Sequence, residues 1–488
     1  MAEPASMKFR CSRVAAAGVA WAQRSFLLLV LCLPACATAN VGPINVASSS
    51  AAPERPQYLP DPTDDGSVVV ALSISGGGTR AAAFGYGVLS ALDDIVVDTR
   101  AGRRTLVDEI RMVSGTSGGA VTAAYLGYKG RGYVDLRERF LLADAEKELH
   151  TNKLSPVNWM RIYEGGVNDR STFANWLDRN VFDGMIYGAF RRKGAPLVWI
   201  SASDIYNGTP FVFATQTFAA LCSDLDSVRI ADAVAASAAF PVVFTPVVVS
   251  TARTRRPCGY QRPAWLNKAV ADPEASLRLK SFARTMLVYQ DDPDVEYVKL
   301  LDGGLTDNIG VTGFSLERAA ATTPHSPLSA REAVRLRRFV YLVADAGVRT
   351  EGKWVGSLRG PKFPRMLEAI ANAGIRSSVR DEFDALTLAT KTWHDDLVAW
   401  RCGLSSTDVR RHRGGLAGWN CRDVEMIVEV LSFSDLPAAK RARLNEIPTR
   451  LKLSPDEVDL AIGAGVEALK ANPRLQEAFA RTAGKRTP

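Results

Sequence analysis

The sequence predicts an α/β fold, on three observations. The β-branched run "SVVVALSIS" (Ser67–Ser75) leads straight into three glycines and a helix of small residues, "TRAAAFGYGVLSAL". A second stretch, "VDEIRMVSGTSGGAVTAAYLGY", repeats the design, with a short strand ending near Val113, a glycine-rich turn and a helix from Ala120 to about Tyr128. A third strand, in "VEYVKLLDGGLTDNIGV" (Val295–Val311), ends on Asp302 before two glycines. Buried strands alternating with helices are the pattern of α/β architecture. The 488 residues are 47% apolar and 23% charged, which is ordinary globular composition with ample material for a core. The net charge of +8 is mild, and no basic stripe is interleaved with aromatics, so nucleic acid is not an expected partner.

The first 36 residues read as an export signal. Lys8, Arg10, Arg13 and Arg24 precede the apolar run Phe26–Leu33, which is too short to span a bilayer. "LPAC" resembles a bacterial lipobox, which makes Cys36 the candidate lipidation residue; "ATA" (Ala37–Ala39) also fits an ordinary signal-peptidase site. The expected location is therefore outside the cytoplasm, as a lipoprotein anchored at the outer membrane or on the periplasmic side rather than freely secreted. Four cysteines remain beyond the signal, Cys222, Cys258, Cys402 and Cys421, an even number that suits an oxidising compartment. Proximity favours Cys222–Cys258 and Cys402–Cys421 among three possible pairings, and no CxxC spacing suggests zinc. Residues 37–66 are rich in Pro, Ser, Ala and Asp and read as a tether.

Within residues 67–348 the glycines carry most of the information. Gly85 and Gly87 each cost about 1 kcal/mol against Ala in a helix, so they predict close packing on the sheet. Gly115-Thr116-Ser117-Gly118-Gly119 has the G-x-S-x-G form of a nucleophile elbow, a sharp strand-to-helix turn that lifts a serine hydroxyl above the sheet edge. Gly115 and Gly119 flank the serine because a Cβ would clash in so tight a turn. Gly76-x-Gly78-x-x-Ala81 with Asp98 also fits a dinucleotide fingerprint. That alternative leaves Ser117 without a purpose.

The order "GGGTR", "GTSGG", "DGGLTDN" resembles the patatin-like phospholipases. "ISASDIYNGTPFVF" (Ile200–Phe213) is similar to the family's strand–turn–strand, and "IADAVAASAAFPVVFTPVVV" (Ile230–Val249) to its Ala/Ser-rich helix and Pro-containing strand. Ala81 departs from the glycine common after the family's arginine. The resemblance implies a three-layer α/β/α fold with a mixed, largely parallel sheet. It also implies a serine acyl hydrolase acting on phospholipid or another acyl-ester lipid at a membrane surface, with no metal or organic cofactor. Ser117 and Asp302 would then form a catalytic dyad. Gly76, Gly77, Gly78 and Arg80 would shape the oxyanion hole, with Arg80 orienting the loop or meeting a substrate phosphate.

Physical chemistry supports those roles. A serine hydroxyl needs a base to become a good nucleophile. A carboxylate near pKa 3.9 is a weak base, and burial would raise its pKa and improve it. Two other readings remain: a non-enzymatic lipid- or protein-binding lipoprotein on the same fold, and an α/β-hydrolase triad of Ser117, Asp302 and His325, which fits by chain order. After "RRFVYLVADAGV" (Arg337–Val348), which reads as a core strand, residues 349–488 read as a mainly helical extension, in which Arg422–Phe433 has strand composition and Ser454 caps a helix.

Overall fold

A computed structural model describes residues 42–48, 61, 63–98, 103–152, 154–251, 258–348 and 353–483. The export signal, Cys36 and most of the tether lie outside them. Residues 42–48 are packed rather than free: the Ile44 N–H donates to Val248 O at 2.9 Å, and the buried Asn45 amide donates to Ser223 Oγ and Ser250 O. Asp61 likewise pairs with Arg104 at 2.7 Å.

The centre is an eight-stranded sheet. Its strands are β1 (Val68–Ile74), β2 (Ile110–Thr116), β3 (Leu197–Asp204), β4 (Thr209–Val212), β5 (Val247–Ser250), β6 (Tyr297–Asp302), β7 (Arg338–Asp345) and β8 (Glu425–Ser432). The order is β8-β7-β1-β2-β3-β6-β5, with β4 paired to β3. The five strands from β8 to β3 are mutually parallel; β6 runs antiparallel to β3 and β5, and β4 is antiparallel to β3. Every residue of β1 and β2 is buried, which is why both read as unbroken runs rather than alternating ones.

Both faces are covered, giving three layers. Phe339 and Tyr341, two apart on β7, both meet Phe314 of helix Thr312–Ala319, and Phe339 stacks edge-on against Trp393. Trp393 belongs to a 40-residue helix, Phe363–Cys402. The opposite face carries α1 (Gly78–Asp93) and α2 (Gly118–Lys129). A Cβ at Gly85 would lie 2.7 Å from Ile74 Cγ2, so this glycine does set α1 onto the sheet. Gly87 faces elsewhere. Its Cβ would lie 2.1 Å from Ile462 O, on the C-terminal helix Pro455–Ala471. That helix starts with a capping box of Ser454 and Glu457.

The extension therefore adds both a strand and helices to the layers. β8 joins the sheet in parallel beside β7. Cys222 pairs with Cys258, and Cys402 with Cys421. No helix among the described residues is long and apolar enough to cross a membrane.

Candidate active site

Adjacent parallel strands end at one edge of the sheet, and the chain reverses there into helices. β2 ends at Thr116; Ser117 has φ 53° and ψ −122°, and α2 starts at the next residue. A positive φ at a serine is strained backbone of the kind stored at functional sites. The surroundings hold it. The Ser117 N–H donates to Ser237 Oγ at 2.8 Å, and that hydroxyl donates to Ser201 O at 2.6 Å. The flanking glycines are needed for space: a Cβ on Gly115 would lie 2.5 Å from Gly119 O, and one on Gly119 would lie 2.3 Å from Ile74 O.

Asp302 arrives from the other side, at the end of β6. Its N–H donates to Ala239 O at 2.9 Å, and its carbonyl accepts the Ser203 hydroxyl at 2.8 Å. The carboxylate accepts Ser117 Oγ–H on Oδ2 at 2.9 Å and the Gly304 N–H on Oδ1 at 2.8 Å. Ser117 and Asp302 are each 8% exposed. Burial pushes the Asp302 pKa up to about 6, against the opposing pull of the Gly304 and Ser117 hydrogen bonds. A carboxyl poised there is still mostly ionised at neutral pH, and it is a stronger base than a solvated one.

The glycine-rich loop lies against this pair. A Cβ on Gly76 would sit 3.4 Å from Ser117 Cβ. The three glycines are not equivalent. The Gly76 N–H donates to Asn308 O at 3.0 Å, so it is spent on structure and does not belong among the oxyanion donors. Gly77 and Gly78 have φ of 140° and 61° and open α1. Among the described residues, their N–H groups have no hydrogen-bond partner. Free N–H groups at a helix start, reinforced by the helix dipole, suit developing negative charge.

Arg80 departs from the phosphate-meeting expectation. It is 3% exposed and donates to Ala346 O at 3.1 Å, Ile447 O at 2.6 Å and Thr449 Oγ1 at 3.1 Å. Its guanidinium is occupied inside the protein and ties the loop to the C-terminal extension. The histidine triad is not assembled either. His325 Nδ1 pairs with Leu328 O at 2.8 Å, and its ring packs 4.6 Å from that of Trp400. Both Asp302 oxygens are meanwhile engaged by Ser117 and Gly304. The dinucleotide alternative fails on topology. Asp98 sits in a separate two-stranded ribbon (Val96–Asp98 with Arg104–Thr105), not at the end of a strand next to β1.

Several supporting residues escaped the sequence reading. Asp307 is fully buried, and its carboxylate accepts from Ser201 Oγ, Arg278 Nη2 and the N–H groups of Val311 and Thr312. Its carbonyl accepts Thr116 Oγ1–H at 2.7 Å, which bolts the loop after Asp302 to the strand before Ser117. Glu382, on helix Phe363–Cys402, accepts the Ile309 N–H at 3.2 Å. Burial, with Asp307 adding to it, raises the Glu382 pKa to about 7. The "TDN" after the glycines carried a signal for Asp307 and Asn308, and the Ala/Ser-rich helix contained Ser237 without singling it out; nothing in the sequence pointed to Glu382.

Compared with known families, residues 72–315 match the patatin family model, described as patatin-like phospholipase. Among solved structures the chain is similar to VipD from Legionella pneumophila, at 15% identity over 84% of this chain and 67% of that one, with a TM-score of 0.30. It is also similar to the heterodimeric ExoU–SpcU complex of the type III secretion system of Pseudomonas aeruginosa, at 13% identity over 88% of this chain and 90% of that one, with a TM-score of 0.18. No curated protein matches the chain.

Proposed function

Because this chain belongs to the patatin-like phospholipase family, a family of lipid acyl hydrolases, we propose that it cleaves carboxylic esters of membrane lipids through a Ser117–Asp302 dyad. The observation that carries this reading is the 2.9 Å hydrogen bond from Ser117 to a buried carboxylate whose pKa is raised to about 6.

In this mechanism Asp302 takes the Ser117 proton as Oγ attacks the ester carbonyl. The carbonyl oxygen becomes an oxyanion facing the N–H groups of Gly77 and Gly78. Collapse of the tetrahedral intermediate breaks the bond to the alcohol, which leaves as a lysolipid or glycerol fragment with the proton from Asp302. Water then attacks the acyl-serine, with Asp302 again accepting a proton. The fatty acid departs, and Ser117 recovers its hydrogen. One oxyanion donor contributes about 3–4 kcal/mol to such a step, and a general base about 10²–10⁴-fold. We further propose that the protein works outside the cytoplasm, anchored through a lipidated Cys36. The two disulfides are consistent with that compartment.

The test is labelling with a fluorophosphonate together with release of fatty acid from phospholipid vesicles. Wild type should label on Ser117 and release fatty acid; Ser117→Ala should do neither while keeping its circular dichroism spectrum. A folded wild-type protein that neither labels nor hydrolyses would leave a binding protein on an inherited hydrolase fold.

A further inference from the structure

The oxyanion loop is held largely by residues more than 350 positions away in the chain. The Thr79 N–H, next after those of Gly77 and Gly78, donates to Arg450 O at 2.8 Å. A Cβ on Gly78 would lie 2.4 Å from that oxygen and 3.0 Å from Arg450 N, so loop and segment touch backbone to backbone. Arg80 grips the same segment at Ile447 O and Thr449 Oγ1.

The segment is gripped from its other side as well. Glu146 accepts the Leu451 N–H at 3.0 Å and Arg450 Nε–H at 3.2 Å. The Glu146 side chain is 15% exposed and that of Arg450 59%, so the bond to the Leu451 N–H is the sheltered part of this grip and the ion pair faces solvent. The helix that follows the segment is seated on α1 without room to slide. A Cβ on Gly465 would lie 2.2 Å from Phe84 O, as one on Gly87 would from Ile462 O at 2.1 Å.

We infer that the segment Ile447–Leu451 is the back wall of the oxyanion hole, with Glu146 and Arg450 as positioning residues that fix the direction of the Gly77 and Gly78 N–H groups. This rests on the oxyanion role proposed above for those two glycines. The physical reason is mobility. Glycine loops have wide conformational freedom, and N–H groups left to wander lose the preorganisation that makes them effective. A misplacement of about 1 Å can cost roughly 10² in rate. None of the contacts made by Glu146 reaches Ser117 or Asp302, so the clamp can be loosened while the proton transfer stays intact.

The test uses the full-length protein and a soluble ester, p-nitrophenyl butyrate. The variants are Glu146→Ala, Glu146→Gln and Arg450→Ala, each checked for folding by circular dichroism. Glu146→Ala should lower kcat by about 10–100-fold with KM changed less than about threefold, because the interaction lost is one made in the transition state. Inhibition by a trifluoromethyl ketone, which forms a tetrahedral adduct on serine, should weaken by the same factor as kcat/KM. Glu146→Gln still offers an oxygen to the Leu451 N–H and should recover most of the loss. Arg450→Ala keeps the backbone carbonyl on Thr79 and should fall between the two. The acid limb of the pH profile should not move in any of them. Unchanged kcat in folded Glu146→Ala and Arg450→Ala, or a loss confined to KM with ketone binding intact, would overturn the inference. If the wild type itself failed to turn over the ester, the hydrolase reading would fall first, and this inference with it.

Discussion

Replacing Asp302 by Asn should inactivate the protein and stabilise it at the same time. Burial raises this carboxyl from 3.8 to about 6. At about 1.4 kcal/mol per pH unit, the folded protein disfavours the ionised form by about 3 kcal/mol. The sign follows from linkage. A carboxyl whose folded pKa lies above its unfolded value holds its proton more tightly when folded. Its stabilising contribution is fully present below about pH 4 and is lost as pH rises through about 6. Asparagine can accept the Gly304 N–H and face Ser117 through its amide, and it carries no charge to desolvate. The stability of Asp302→Asn relative to wild type should therefore rise by up to about 3 kcal/mol from acid to alkaline pH, about half of it between pH 5 and pH 8. Activity moves the opposite way. Wild-type kcat/KM should fall to about a tenth of its plateau at pH 5, and the variant should lie about 10²–10⁴-fold below that plateau without the acid limb. Urea unfolding at pH 5 and pH 8, followed by circular dichroism, reads the stability, and a soluble ester reads the activity. A variant that gains no stability relative to wild type between those two pH values would refute the buried-base argument, whatever its activity.

Two further outcomes rest on the structure and a third on the sequence of the export signal. Gly78→Ala places a Cβ 2.4 Å from Arg450 O at a residue with φ +61°, so it should lose at least about 1–2 kcal/mol of stability and most of kcat/KM, read by urea unfolding and ester hydrolysis. Cys402→Ser with Cys421→Ser removes a crosslink of sequence separation 19 and should cost about 2–4 kcal/mol, measured as a lower unfolding midpoint that dithiothreitol no longer changes as much as it does in wild type. Cys36→Ala should release the protein from the membrane fraction and abolish incorporation of labelled fatty acid; a wild type that takes up no label would remove the lipoprotein proposal.

What the sequence determined by itself is local. Strand Val68–Ile74, the elbow at Ser117 and the carboxylate at the end of Tyr297–Asp302 were legible because glycine spacing and unbroken β-branched runs encode backbone geometry within a few residues. Only the tertiary structure decided which of those local features serve the site. Gly76, Gly77 and Gly78 look alike in sequence, and it takes Asn308 O to show that the first is engaged. By sequence Arg80 could orient the loop or meet a substrate phosphate, and only the closing of Ile447 and Thr449 around it separates the two. His325 fits a triad by order and is placed against Trp400 instead. Glu382 and Arg450 carry no motif, since each reaches the loops around the site through the main chain: Glu382 accepts the Ile309 N–H, and Arg450 offers its own carbonyl to Thr79. A backbone contact constrains the fold around it far more than the residue type at either end. Short-range chemistry is therefore written in the sequence, whereas the packing that aims it is fixed by contacts hundreds of residues apart that leave no periodicity to read.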